Sequence, residues 1–426
     1  MKKILFILIL SYTGLNFADD GKVTQAEEIM LGELLFKDKD LSLNRNQSCE
    51  TCHSLSPVAK PGLPLVPGFV DPDNIAKGSP VSNGSDIDPG TGLPFNGTLN
   101  TPSVGYAAFS PKFKWDKNLN AYFGGFFWNG RAKDLAAQAK EPFLNPVEMA
   151  MPNASDVVNR LSENTTYRKL FRKIYGISLP LKNQSDRMIE KVFQSMAQAI
   201  AAFERDQSFS KFNSKFDYVL TGITTFTPVE QQGFDLFKDP LKGNCAVCHT
   251  VDSTLDKKGN IAVPPLFTNF SYINIGAPRN MKIPGLPEPD LGLGGRADIQ
   301  KQDKQGLQIG KHKVMSLRNV AITPPYGHNG VFASLQMIVH FYNTRDVLPH
   351  DCDNTSPRFP SQCWPLPEIE QNVSDKFGNL NLSAGERTAL IAFMNTLTDN
   401  YPDWGNDPLV PPGTPSPYPH LRIPSN

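Results

Sequence analysis

Excess charge of either sign is missing from this 426-residue chain, because 42 Lys and Arg are balanced by 42 Asp and Glu. A polyanion-binding role gains nothing from that balance, and no nucleic acid is expected as a partner. Long apolar runs are missing too beyond the N-terminus, so no membrane span is expected in the mature chain. Histidine and cysteine are scarce, at 7 and 6 residues, and His53 is the only histidine between Met1 and Cys248. Phe is plentiful at 27, in a chain that is 39% hydrophobic, which is enough for substantial cores in two domains or one large one. The 37 Pro and 32 Gly predict long ordered loops wrapped around compact helical units.

Residues 1–18 have the form of a secretory signal peptide: Lys2 and Lys3, the apolar run Ile4 to Leu10, and a cut after Ala18. The run is too short to cross a bilayer, which argues against the competing reading of an uncleaved anchor. A soluble, exported, periplasmic protein is expected.

The chain repeats itself. Gly32-Glu33-Leu34-Leu35-Phe36-Lys37-Asp38 returns as Gly233-Phe234-Asp235-Leu236-Phe237-Lys238-Asp239. Each copy leads into C-x-x-C-H, first as Cys49, Cys52 and His53, then as Cys245, Cys248 and His249. Each half ends in a stretch with helical spacing of apolar residues, Met196 to Gln207 and Glu386 to Asp399. The expected fold is therefore mainly α, with two cytochrome c-like haem modules and long irregular loops. Residues 19–215 form the first module, 216–400 the second, and 401–426 a Pro-rich tail. An extended Thr-rich stretch, Phe216 to Thr227, is expected at the boundary, and residues 54–127 are expected to be irregular.

Two thiols at the C-x-x-C spacing reach both vinyl groups of a haem while the next histidine presents a nitrogen to iron. Two such motifs in parallel contexts behind an export signal predict two covalently attached c-type haems, with His53 and His249 as proximal ligands. The remaining pair, Cys352 and Cys363, is expected to form a disulfide, with a metal role as the alternative. For the sixth position of the first iron, no second histidine is at hand in its own module; Met149, Met151 or no ligand remain.

Phe126-Phe127-Trp128-Asn129-Gly130-Arg131, then Gln138-Ala139, then Asn145-Pro146-Val147-Glu148-Met149 resemble the bacterial diheme cytochrome c peroxidase and MauG family. The resemblance implies that Gln138 and Glu148 face an open, peroxide-binding first haem and that Trp128 lies between the haems. A carboxylate over an open iron can take a proton from one peroxide oxygen and deliver it to the other, and an amide can orient the oxygens without competing for the proton. The bland alternatives are a capping box for Glu148, with Asn145 as N-cap, and a core aromatic for Trp128. Arg131 is read as a haem propionate contact or a surface ion pair.

Leu317-Arg318-Asn319 and Thr323-Pro324-Pro325-Tyr326-Gly327-His328-Asn329-Gly330 resemble the same family. The family places the second haem's sixth ligand fourteen residues after that histidine, Met in ordinary peroxidases and Tyr in MauG-type enzymes; here it is Tyr342. In a helix Ser334 to Asn343, Tyr342 shares the apolar face with Leu335, Ile338 and Val339, while Met337 and His340 point away. Met315 is the alternative ligand, and His328 is read as a propionate or interface residue. The resemblance also implies a calcium ion between the modules, held by Asn100, Thr323 and Pro325 through hard oxygen donors. The chain departs from the family in two places. It lacks a histidine in the loop that supplies a resting sixth ligand to the first haem of ordinary peroxidases, and its stretch from Asn100 to Trp128 is long.

The implied activity is a peroxide-using oxidoreductase of MauG type that oxidises a partner protein or substrate. The alternatives are a cytochrome c peroxidase fed by a small cytochrome c or copper protein, and an electron-transfer cytochrome without turnover. The oligomeric state, with a dimer as one option, is left open by the sequence.

Overall fold

The computed structural model describes residues 24–55, 57–60, 63–67, 80–180, 182 and 185–424, so the expected signal segment 1–18 lies outside it. Two helix pairs dominate. In the first half, the helix Gln25–Lys37 crosses the helix Asp186–Glu204; in the second, Pro228–Lys238 crosses Ala384–Asn395. The two leading helices start alike, on capping boxes of Thr24 with Glu27 and Thr227 with Glu230, each of which satisfies otherwise orphaned N–H groups. The repeated glycine explains itself at the crossing. A Cβ on Gly32 would collide with the Ala199 carbonyl, and one on Gly233 with the Ala389 carbonyl, while Phe203 and Phe393 press in beside them at the same 2.8 Å.

A second repeated unit follows. The chain makes a narrow loop closed by a bridge, Phe126 to Ala132 in one half and Tyr326 to Phe332 in the other. Both loops turn on a glycine with positive φ, Gly130 at +69° and Gly330 at +67°, a conformation that a Cβ disfavours. The loops open into the helices Leu135–Leu144 and Leu335–Thr344, capped by the side chains of Asp134 and Ser334. Gly130 matches Gly330 and Leu135 matches Leu335, so the two units correspond at an offset of 200 residues.

Two apolar cores result. One gathers Leu31, Phe36, Phe143, Phe171 and Met196; the other gathers Phe237, Phe267, Phe332, Phe341 and Phe393. Sheet is confined to small two-stranded pieces, among them Asn83–Ile87 with Pro94–Asn96, Lys114–Asp116 with Ala121–Phe123, and Tyr272–Ile273 with His312–Lys313. The first two are hairpins inside the stretch expected to be irregular. The start of the boundary segment is not extended: Lys215–Leu220 is helical, because a Ser214–Asp217 capping box starts a turn that buries Phe216 and Tyr218. The closing helices run Asp186–Glu204 and Ala384–Asn395, so each ends short of the apolar spacing read from sequence; in the first half Gln207–Phe209 continues as a 3-10 turn.

A buried polar network ties the halves together. Arg318 donates to Asp217 at 2.7 Å with both side chains fully buried, and Asn319 and Tyr106 donate to the two oxygens of Asp399. Tyr106 comes from the first half, and its ring packs edge-on to Phe212, over which the Arg318 guanidinium lies at 4.8 Å. Cys352 and Cys363 are joined in a disulfide, as expected. The tail is pinned: Tyr401 is buried, the Tyr218 hydroxyl donates to the carbonyls of Thr414 and Pro415, and the Ser416 hydroxyl donates to the Phe212 carbonyl. Among the described residues no helix is long and apolar enough to cross a membrane.

Candidate functional site

In the first half, Ser48 starts a single helical turn over Cys49–Cys52, and His53 closes it by donating its N–H to the Cys49 carbonyl at 2.8 Å. Neither thiol takes part in a disulfide. Burial pushes the Cys49 thiol up, and the fields of Glu204, Cys52 and Glu148 add to the rise. Two carboxyl groups therefore lie close to the first thiol pair. Glu148 sits in a tight turn just past the helix Leu135–Leu144, which carries Gln138. Asn145 caps the end of that helix and starts no new one, so the capping-box alternative for Glu148 does not hold. Instead the Asn145 amide donates to the Glu148 carboxyl at 2.7 Å, while burial pushes the carboxyl's pKa above the usual range. Met149 and Met151 are packed into the first apolar core.

Sequence reasoning missed Glu204. It ends the helix Asp186–Glu204, is 4% exposed, has a carboxyl oxygen without a hydrogen-bond partner, and is pushed up to about 8 by burial. Its one signal is position: a glutamate directly after the apolar face of Met196, Ala197, Ile200 and Phe203.

In the second half, Cys245, Cys248 and His249 lie on the wall of a cavity of about 240 Å³ that Leu335, Ile338, Val339 and Tyr342 also line. The His249 ring shares a hydrogen bond of 2.9 Å between Nδ1 and the Phe267 carbonyl. With Nδ1 as the donor, Nε2 is left with a lone pair to offer. Burial pushes His249 down to about 4, so the ring is neutral, the form that ligates metal. Tyr342 reaches the same cavity from the helix Leu335–Thr344, and burial raises its phenol, with the fields of Cys248 and Cys245 adding to the rise. Met337 and His340 do not line the cavity, whereas Met315 does. Two thiols outside any disulfide and a neutral imidazole on an apolar wall, with a phenol in the same chamber, are the donor set that a covalently held haem requires.

The cavity extends to the junction of the halves, where Trp128, Asn100, Thr323, Pro325 and His328 line it. Trp128 donates its indole N–H to the Asn100 carbonyl at 2.8 Å and stands edge-on to two stacked histidines, His312 and His328, whose rings are 3.7 Å apart. His312 and His328 pair with Asp290 and Glu368 at 2.9 and 2.8 Å. His312 and the buried Lys313, which burial pushes down to about 7, are further residues that sequence reasoning passed over. The Asn100 side chain meets the carbonyl of Pro325 at 2.8 Å. Arg131 is exposed, bonded to Glu141 at 2.6 Å and laid over the Phe127 ring at 3.5 Å.

The offset of 200 residues places the two loop-helix units in register. Trp128 corresponds to His328, and Tyr342 corresponds to Pro142, a residue with no ligating atom in its side chain.

Comparison with known proteins agrees with this geometry. Residues 26–225 match the family described as di-haem cytochrome c peroxidase. The methylamine utilization protein MauG of Paracoccus denitrificans is 39% identical over 377 residues, covering 87% of this chain and 88% of that protein. The cytochrome c peroxidase Ccp of Escherichia coli is 27% identical over 332 residues, covering 77% of this chain and 56% of that protein. Among solved structures, the diheme peroxidase BthA of Burkholderia thailandensis superposes with a TM-score of 0.72 at 28% identity, covering 92% of this chain and 93% of that one. The mainly helical fold, an oxidoreductase activity and two haems follow from that relationship. The chain belongs to the di-haem cytochrome c peroxidase and MauG family.

Proposed function

We propose that this protein is a MauG-like periplasmic oxidoreductase that uses hydrogen peroxide at an open first haem and oxidises a partner protein or substrate. The observation that carries the reading is the register of the two loop-helix units: Tyr342 reaches the chamber of the second half, and its counterpart in the first half is Pro142. Cys49, Cys52 and His53 would hold the first haem, and Cys245, Cys248, His249 and Tyr342 would hold the second. When bound, the first haem supplies an iron at which peroxide is reduced.

The chain's own residues do the rest. Glu148, whose proton is held more tightly through burial, moves a proton between the peroxide oxygens. Gln138 orients those oxygens by hydrogen bonding. Trp128, on the wall of the second half's chamber at the junction of the halves, carries electrons between the two haem sites. Tyr342 keeps its proton in the buried chamber and would give it up on binding the second haem's iron; as a phenolate it would favour the oxidised states, which suits storage of oxidising equivalents. At the junction, Asn100 turned to present its amide oxygen, together with Thr323 and Pro325, offers a calcium ion hard oxygen donors. His328 is an interface residue beside Trp128, and Arg131 braces the helix that carries Gln138 through its pair with Glu141.

The test is one equivalent of hydrogen peroxide added to the fully ferric protein, followed by optical and electron paramagnetic resonance spectroscopy. The expected result is rapid loss of both ferric signals, and Tyr342→Phe should abolish the long-lived oxidised state while both haems stay attached. A protein that reacts only after its second haem is reduced, and then turns over with a reduced small cytochrome, is an ordinary cytochrome c peroxidase.

A further inference from the structure

The long stretch between Asn100 and Trp128 folds into the hairpin Lys114–Asp116/Ala121–Phe123, and its aromatic rings form a continuous file. Trp115, 41% exposed, meets Tyr122 edge-on at 4.8 Å. Tyr122 stacks on Phe113 at 5.3 Å and 6°, and Phe113 meets Tyr272 edge-on at 6.0 Å. The Tyr272 hydroxyl donates to the Gly124 carbonyl and lies against Gly130, two residues from Trp128. Tyr272 is also paired across its strand with Lys313, whose backbone N–H donates to the Trp128 carbonyl at 2.8 Å.

Electron transfer through protein falls off exponentially with distance, so rings in contact carry charge over a span that one jump does not cover. We propose that the file Trp115–Tyr122–Phe113–Tyr272 is an electron-entry route, with Trp115 as the port at which a small acidic redox protein delivers electrons towards Trp128. This rests on the peroxide-using reading above.

The chemistry of the file favours holes at its ends. Tyr122 donates to the Gln302 side-chain oxygen and Tyr272 to a backbone carbonyl; neither acceptor is a base, so neither phenol has anywhere to send its proton on oxidation. The Arg296 guanidinium, 4.1 Å over the Phe113 ring and paired with Asp298, disfavours positive charge resting in the middle. The tyrosines and Phe113 thus bridge two indoles. For each electron moved, the oxidised haem centre gains one, Trp115 loses one, and the redox partner returns one to Trp115. Beside the port on the hairpin, Lys112, Lys114 and Lys117 are exposed against a single Asp116, a basic cluster that complements an acidic partner, while Asp298 and Asp303 bear on Tyr122, the next ring of the file.

The route can be tested without peroxide. Fully reduced di-haem protein is mixed with the anionic tris(bathophenanthroline disulfonate)ruthenium complex, which the lysines beside Trp115 attract, and a quencher, and a flash generates the ruthenium(III) oxidant. In the wild type a transient tryptophan-radical band should appear, followed by haem oxidation. Trp115→Phe should remove most of the radical band and slow haem oxidation at least tenfold. Tyr122→Leu should keep the radical and slow haem oxidation to a similar degree. Soret and circular dichroism spectra confirm that both variants are folded and loaded. Equal haem oxidation rates in all three proteins overturn the route, and they do so whether or not peroxide reacts, so failure of the route and failure of the peroxide reading are told apart.

Discussion

The two halves share a scaffold and differ in what they aim at the haem. Both cross a glycine-bearing helix over a phenylalanine-bearing one, and both send a loop, a positive-φ glycine and a capped helix over the chamber. At matched positions the first half has Trp128, Pro142 and Glu148, and the second has His328, Tyr342 and Leu348. On the function proposed above, the same backbone presents a proton carrier and no ligand on one side, and a ligand and no proton carrier on the other, so that reactivity is divided by a few side chains on a duplicated frame.

The comparison breaks most sharply at Glu148. Glu148→Gln should slow the peroxide reaction by about 10²–10⁴-fold, the usual worth of a positioned proton carrier, with both haems still bound; stopped-flow kinetics measure it. Unchanged kinetics would remove the proposed asymmetry. Next come the glycines. Gly32→Ala and Gly233→Ala should each destabilise the protein by about 1–3 kcal/mol through overpacking, and by similar amounts if the crossings are truly equivalent. Denaturant titration of the two variants compares them directly.

A third test concerns Glu204. Its carboxyl is pushed from an ordinary value near 4.5 up to about 8, so between those pH values the folded state holds a proton that the unfolded state has released. Stability from this group is present in full below pH 4.5 and is lost as the pH rises towards about 8. Glu204→Gln should flatten that decline in thermal melts of the holoprotein. A decline of the same slope in the variant would place its cause elsewhere.

Much of this was legible in the residues. The C-x-x-C-H motifs and the repeated Gly-x-x-Leu-Phe-Lys-Asp segment located both halves, because haem binding and helix crossing each demand fixed residue types at fixed spacing. Tyr342 was separable from Met337 and His340 by helical periodicity, and the cavity lining keeps that separation. Glu204, His312 and Lys313 were not legible, because they act through burial and stacking that arise only when distant segments meet. The hairpins between residues 80 and 127 were hidden for a similar reason: short strands among glycines and prolines carry little periodic signal.

The Arg318–Asp217 pair and the Asp399 contacts of Tyr106 and Asn319 have a consequence for how the molecule tolerates change. Removing Arg318 or Asp217 strands a charge away from water inside the second half, which costs about 3–5 kcal/mol, and the Tyr106–Asp399 bond fastens the first half to that same buried network. A change at Tyr106 is thereby felt among the second half's buried charges, and the two halves are coupled in stability at this point.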